Sequence, residues 1–267
     1  MTQKLAREVR FCVNPFLAED QAGYNSYAAR PAGEGLAMFF SLVAEVTGEI
    51  DPQTGFVVNI VEIDSGIREA VVPVFSQRIR TAYAEARHID YTELAELLRD
   101  GAEKLTGRFG GAELGRLTLN LTPFRKLSYH LREPEMVYFS EKFEFAATHT
   151  LWSDKYSAEQ NAEVFGKCAN PAGHGHNYVV EVTVSTPAGR HTLNTGQFER
   201  VVDQELIEPL DHKNLNTEIA EFEKTNPTVE NIAVFCWGRL VGKFQHGNLH
   251  CVTVWETDKT WCSYHGE

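Results

Sequence analysis

Apolar and polar positions alternate with period two over several short stretches of the chain, the signature of half-buried strands. REVRFCV (7–13), MFFSLVAEVTG (38–48), RLTLNL (116–121) and KLSYHL (126–131) predict four strands in the first half. EKFEFAATHTL (141–151), GHNYVVEVTVS (175–185), LHCVTVWE (249–256) and WCSYHG (261–266) predict four more, the last two joined by a TDK turn. Between the second and third strand of each half the spacing becomes helical. VEIDSGIREAVV (61–72) and YTELAELLRDGAEKL (91–105) predict two helices in the first half. GQFERVVDQELIEPL (196–210), with Pro209 near its end, and NPTVENIAVFCWGRLVGKF (226–244) predict two in the second. Thr228 is placed to cap the latter, with Pro227 just outside. Each half thus reads β-β-α-α-β-β.

The halves also match in detail. LTGRF at Leu105 precedes LVGKF at Leu240 by 135 positions, and SYH at Ser128 precedes SYH at Ser263 by 135. ARPAGEG at Ala29 lies 140 before ANPAGHG at Ala169, and FCVNPFL at Phe11 lies 134 before FAATHTL at Phe145. The matches keep their order, which predicts a tandem duplication with units at 1–135 and 136–267.

Composition narrows the class. The 267 residues suffice for one large domain or two ordinary ones, and 43% apolar content is ordinary for globular chains. A net charge of −12 opposes a broad nucleic-acid surface. No run approaches the roughly 18 apolar residues of a membrane span, and the first residues lack a signal-peptide pattern. Five cysteines at irregular spacing do not form a disulfide framework. The expectation is a soluble cytoplasmic protein with reduced thiols and no nucleic-acid or membrane partner.

The chemistry gathers in the second half. His174 and His176 are two apart on a predicted strand, so both imidazoles point to one face. Two imidazoles make a half-site for a transition metal, most often zinc. His149, on the neighbouring predicted strand, is the candidate third ligand, and three histidines with an open position describe a catalytic zinc. The plain alternative is a set of polar strand residues. Cys168 lies in a Gly- and Pro-containing loop six residues before His174. It is either a fourth zinc ligand or a base. Cys12, Cys236, Cys251 and Cys262 fall in strand or helix patterns and read as packing residues. Asp211 beside His212 can fix an imidazole tautomer, though such pairs also occur in ordinary turns. Glu256 ends a predicted strand, as a solvated charge or an anchor for amine donors.

The repeat tests these candidates. Placed on the first unit, His149 falls opposite Pro15, Cys168 opposite Ala28, His174 opposite Glu34 and His176 opposite Leu36. Asp211 and His212 fall opposite Ser76 and Gln77, and Glu256 opposite Leu121. The apolar pattern persists while every candidate group is missing. The first unit is therefore expected to be structural and the second catalytic.

FAATHTL, VFGKCANPAGHGHNYVVEVTV, PLDHKNLN, PTVENIAV and VWETD, in this order, closely resemble the 6-pyruvoyl-tetrahydropterin synthase family over roughly residues 140–267. The resemblance implies an α+β T-fold in each unit, a four-stranded antiparallel sheet with two helices on one face. Such units assemble into barrels with active sites at unit interfaces, so a homo-oligomer is implied. It further implies that His149, His174 and His176 bind Zn2+, that Cys168 is the base, and that Asp211 and His212 complete a proton relay. Glu256 would anchor the amine and ring donors of a pterin, with Thr228 and Glu230 near the ring. The implied substrate is 7,8-dihydroneopterin triphosphate, which loses triphosphate. Two positions depart from the family pattern: Thr150 where many relatives have arginine, and Val229 where a second threonine is common. Of the family's branches, one makes a pyruvoyl product, one a carboxy product with loss of acetaldehyde for deazapurine synthesis, and one a hydroxymethyl product. Cys168 argues against the last, and the five residues between Cys168 and His174 look more like the pyruvoyl branch. A non-catalytic pterin- or metal-binding assembly protein is the reading from another class.

The second unit holds 10 Lys+Arg against 18 Asp+Glu, a poor balance for a triphosphate site, whereas the first holds 12 of the chain's 15 arginines. Arg78, Arg80, Arg87 and Arg125 are therefore candidate phosphate ligands.

Overall fold

The computed structural model of the chain describes residues 2–17, 25, 27–189 and 193–267. It divides into two compact units with the main boundary at Phe139/Ser140; the first also takes in the stretch from Thr186, and the second resumes at Leu193.

The first unit is an antiparallel sheet of β1 (Thr2–Val13), β2 (Met38–Glu49), β3 (Glu113–Asn120) and β4 (Arg125–His130), paired in that order. One face carries Val9, Phe11, Leu42, Ala44, Leu117, Leu119 and Leu127, all buried. Helices α1 (Ile60–Ala70), α2 (Val72–Ala84) and α3 (Tyr91–Leu105) cover it, burying Ile63, Phe75, Leu97 and Leu98 among others. Each such side chain contributes about 1.5–3 kcal/mol by leaving water. Three helices stand where the spacing predicts two. The helix expected over 61–72 ends at Ala70, and α2 starts at Val72 with Pro73 in its first turn, where a missing N–H is harmless.

Glu93 joins α2 to α3. Its carboxylate takes Arg78 at 2.8 Å and Arg87 at 2.6 Å, and the two guanidiniums hold its pKa at about 2. The Arg80 guanidinium donates to the Leu17 carbonyl. The arginines at 78 and 87, candidates for phosphate, thus already hold an ion pair inside their own unit. A carboxyl whose folded pKa lies below its unfolded value stabilises above the unfolded value and loses that contribution as pH falls through the folded one. Glu93→Gln is expected to remove about 1 kcal/mol at pH 7, discounted for the half-exposed arginines. The difference from the parent should shrink between pH 4.5 and about 2 in urea titrations. A difference independent of pH would refute the assignment.

The second unit pairs its strands in the order β5 (Met136–His149), β6 (His174–Pro187), β8 (Asn248–Thr257), β9 (Thr260–Tyr264). Short β7 (Lys213–Asn214) lies parallel to β5 at Ala147 and Thr148. The core face holds Phe145, Ala147, Tyr178, Val180, Val182, Val252 and Val254, all buried. Against it lie Phe198 and Val202 of α5 (Thr195–Val202), and Ile232, Ala233, Cys236 and Leu240 of α8 (Val229–Leu240). Burial pushes the Cys236 thiol up to about 12, as suits a packing residue. Cys12, Cys251 and Cys262 are half-buried.

Two further helices, α4 (Ala158–Phe165) and α7 (Leu215–Glu218), lie outside the sequence expectation of two helices, while α6 (Glu208–Leu210) falls at the end of the first of them. The segment expected as one helix over 196–210 is α5, a π turn (Asp203–Ile207) and α6. Pro209 explains the departure. It has no N–H to give the Glu205 carbonyl four residues earlier. Arg239 Nε donates to that carbonyl instead, at 3.3 Å, and Arg239 and Lys243 also bind the Glu205 carboxylate at 3.0 and 2.9 Å.

The two units share small irregularities. The β2–β3 register slips between Glu45 and Val46, leaving Gly115 as an extra residue. The β6–β8 register slips between Thr183 and Val184, leaving His250 as an extra residue. Thr118 and Ser128 face each other across β3–β4 with hydroxyls 2.9 Å apart, and Thr253 and Ser263 do so across β8–β9 at 2.8 Å. No helix among the described residues is long and apolar enough to cross a membrane.

Candidate metal centre

Period-two geometry brings the histidines together. On β5 the inward residues are Phe145, Ala147 and His149; on β6 they are His174, His176, Tyr178 and Val180. His149 is fully buried, and its Nε2 lies 3.1 Å from His174 Nε2. One nitrogen from each of His149, His174 and His176 falls within 4.8 Å of the others.

The surroundings set the chemical form of these rings. His149 Nδ1 donates to the Pro227 carbonyl at 2.8 Å, which leaves the Nε2 lone pair turned toward the other two histidines. The Tyr178 hydroxyl lies 3.4 Å from the same Nδ1, beneath the cluster, with its ring stacked on Phe145. Burial lowers the pKa of both His149 and His176, and the hydrogen bond to Pro227 only partly offsets this at His149. Both are neutral at pH 7, the form that binds a metal. His174 Nδ1 and His176 Nε2 are buried without a hydrogen-bond partner. Orphaned buried nitrogens are costly in a native structure. Three converging imidazole nitrogens, with His149 and His176 neutral, fit a bound cation of the zinc type.

Local sequence builds this geometry. Gly173 adopts a φ of 71°, and a Cβ there would stand 3.2 Å from the His149 carbonyl oxygen, so the turn before β6 needs glycine. Asn216 holds the end of β5: its side chain accepts from Thr150 N at 2.8 Å and donates to Thr150 O at 2.9 Å. Three consecutive residues complete the frame. Asn226 accepts from Trp152 N at 2.9 Å, Pro227 holds His149, and Thr228 caps α8 by accepting from Asn231 N at 3.4 Å. Pro227, Tyr178 and Asn216 were not expected from sequence. Only the Asn-Pro dipeptide at a helix start gave a signal there.

The other expected residues divide. Glu256 reaches the centre: Oε1 lies 3.5 Å from His149 Nε2 and 3.8 Å from His176 Nε2. Cys168 sits in a tight turn (Gly166–Ala169) whose Cys168 carbonyl accepts from Leu151 N at 2.8 Å, two residues beyond His149. Burial, then the negative charge of Glu256, push its thiol pKa up. Asp211 and His212 form their pair, Nδ1 to Oδ2 at 2.8 Å, while Asp211 also accepts from Ala146 N at 2.8 Å and is held ionised by these bonds, Ala146 first. His212 adopts a left-handed φ of 58°, and its side chain is 82% exposed. Among the described residues, no hydrogen bond ties this pair to Cys168. Glu230 is exposed on the first turn of α8; burial, and then the Glu230 charge, raise the pKa of the Cys262 thiol.

A family model described as 6-pyruvoyl tetrahydropterin synthase matches residues 138–267. The human 6-pyruvoyl tetrahydrobiopterin synthase is 40% identical over 131 residues, 48% of this chain and 90% of the relative. The Drosophila melanogaster protein of the same name is 36% identical over 140 residues, 51% of this chain and 83% of the relative. The solved structure of Caenorhabditis elegans 6-pyruvoyl tetrahydropterin synthase aligns with a TM-score of 0.46 at 32% identity, covering 49% of this chain and 96% of that one. Through its second unit, where the histidine centre lies, the chain belongs to the 6-pyruvoyl tetrahydropterin synthase family.

Proposed function

We propose that the protein is a zinc-dependent lyase that converts 7,8-dihydroneopterin triphosphate to a 6-pyruvoyl tetrahydropterin with loss of triphosphate. The observation that carries this reading is the convergence of three histidine nitrogens within 4.8 Å, with Glu256 beside them and the Cys168 thiol within electrostatic reach of Glu256, in a chain of this family. His149, His174 and His176 would hold the zinc. When bound, it supplies Lewis acidity toward the substrate's side-chain oxygens, which acidifies the adjacent C–H.

The chain's own groups do the rest. Cys168 is the base that takes the side-chain proton. Its thiol stays protonated beside Glu256 and becomes a thiolate when a cation stands near. Asp211 accepts from His212 Nδ1, which leaves the exposed Nε2 free to exchange a proton. Because that imidazole points to solvent, the relay is completed against another copy of the chain, in a homo-oligomeric barrel. The Glu256 carboxylate accepts hydrogen bonds from the pterin's amine and ring donors. Thr228 and Glu230 lie on the same helix start, near the ring.

We read the two units as tandem copies of one T-fold, split near residue 135. The matched bulges at Gly115 and His250 and the matched hydroxyl pairs Thr118–Ser128 and Thr253–Ser263 support this. The first unit kept the frame and lacks the metal ligands. A cytoplasmic enzyme with a small-molecule substrate is the corresponding biological setting.

The test is incubation of the zinc-loaded protein with 7,8-dihydroneopterin triphosphate, followed by mass spectrometry of the pterin and an acetaldehyde assay. A pyruvoyl product without acetaldehyde is expected. A carboxy product with acetaldehyde would move the protein to the deazapurine branch, and no turnover by the metal-loaded protein would favour a binding or assembly role.

A further inference from the structure

Strand β8 ends in a bulge. Its register against β9 slips between Trp255 and Thr257, opposite Trp261 and Thr260, so Glu256 is the extra residue. Alternation along β8 sets where it points. Val252 and Val254 point into the core on the same strand face, and Glu256 follows them inward to the histidines.

What the carboxylate meets there is unusual. His149 carries its ring proton on Nδ1, toward Pro227, so its Nε2 presents a lone pair to Glu256 Oε1 at 3.5 Å. His176 Nε2, 3.8 Å from the same oxygen, has no hydrogen-bond partner. A cation placed among this carboxylate oxygen and the two imidazole nitrogens would be attracted by the charge and could take up lone pairs from all three. Three of the separations come near what that cation needs. Ligand atoms about 2.0–2.1 Å from a tetrahedral zinc stand about 3.3 Å apart. Here the His149–His174 separation is 3.1 Å and the two Glu256 separations are 3.5 and 3.8 Å.

Building on the metal centre proposed above, we infer that Glu256 is a fourth protein ligand of the metal when no substrate is bound. The centre is then closed, with three imidazoles and one carboxylate, rather than open to water. The same carboxylate serves the pterin donors only after it leaves the metal. The resting protein thereby shields its Lewis acid from water and stray anions, and a ligand that can hydrogen-bond Glu256 opens it.

The full-length protein loaded with Co2+ in place of zinc reports this directly through its visible absorption. The parent spectrum is expected to be indifferent to added acetate. Glu256→Ala should shift the bands and make them titrate with acetate, which refills the vacated position. Glu256→Gln, which keeps the side-chain volume, should release zinc to a chelator at least about 10-fold faster than the parent, the loss typical of a disturbed ligand shell. Identical parent and variant spectra, both moved by acetate, would overturn the inference while leaving the metal centre intact. Failure of the parent to bind Co2+ or zinc would overturn both. If the variants behave as stated but 7,8-dihydroneopterin leaves the parent spectrum unchanged, the ligand assignment stands and the pterin reading fails.

Discussion

His176→Ala should empty the metal centre without cost to the fold, whereas His149→Ala should empty it and destabilise the second unit as well. The contrast follows from their surroundings. His176 Nε2 has no hydrogen bond, so truncating this ring removes an unmet buried polar atom along with a ligand. His149 is fully buried and gives its other nitrogen to Pro227. Its loss leaves that carbonyl without a donor, a cost of about 1–3 kcal/mol, in addition to the cavity. Either variant should retain little zinc after dialysis, measured by elemental analysis. Losing several kcal/mol of charge stabilisation should lower turnover on the order of 10³-fold. Thermal melting of the metal-free proteins separates the two, with only His149→Ala melting below the parent. Full zinc retention by either variant would refute the three-histidine site.

Phe145→Ala should be the most damaging single core change in the second unit. Phe145 is 1% exposed and stacks on Tyr178 with ring centroids 5.1 Å apart. Truncation of a buried phenylalanine costs about 3–5 kcal/mol, or roughly 10 °C in Tm at this domain size. Because Tyr178 lies directly beneath His149, its loosened ring should also weaken zinc binding. A large fall in Tm with unchanged zinc affinity would show that the core and the centre are independent.

Sequence logic recovered what depends on periodicity. His174 and His176 share a face because strands repeat every two residues, and His149 joins them because β5 neighbours β6. It also recovered the Thr228 cap, which follows from residue type at a helix start. The rest was hidden for identifiable reasons. The Pro227 carbonyl is a backbone group, and no side-chain pattern announces which buried imidazole it will orient. Glu256 shares the inward face of Val252 and Val254 by the same alternation, but its meeting with the histidines depends on β8 pairing with β6, which is a property of two strands and not of either alone. The Asp211–His212 pair was legible, but its outward direction follows from the left-handed backbone at His212, an uncommon conformation for that residue. Arg78 and Arg87 looked available because the acid that claims them, Glu93, lies six or more positions away on another helix.

Residues Asn226, Pro227 and Thr228 serve three masters in three successive positions: a loop amide at Trp152, a buried imidazole and the first turn of α8. In evolutionary terms they form one unit of change. Inserting or deleting a single residue there would unseat the ring, uncap the helix and free the loop together. The segment can drift in composition only where each position keeps its acceptor, and it cannot drift in length at all. Loop grafting between relatives should therefore succeed or fail at these three positions as a block.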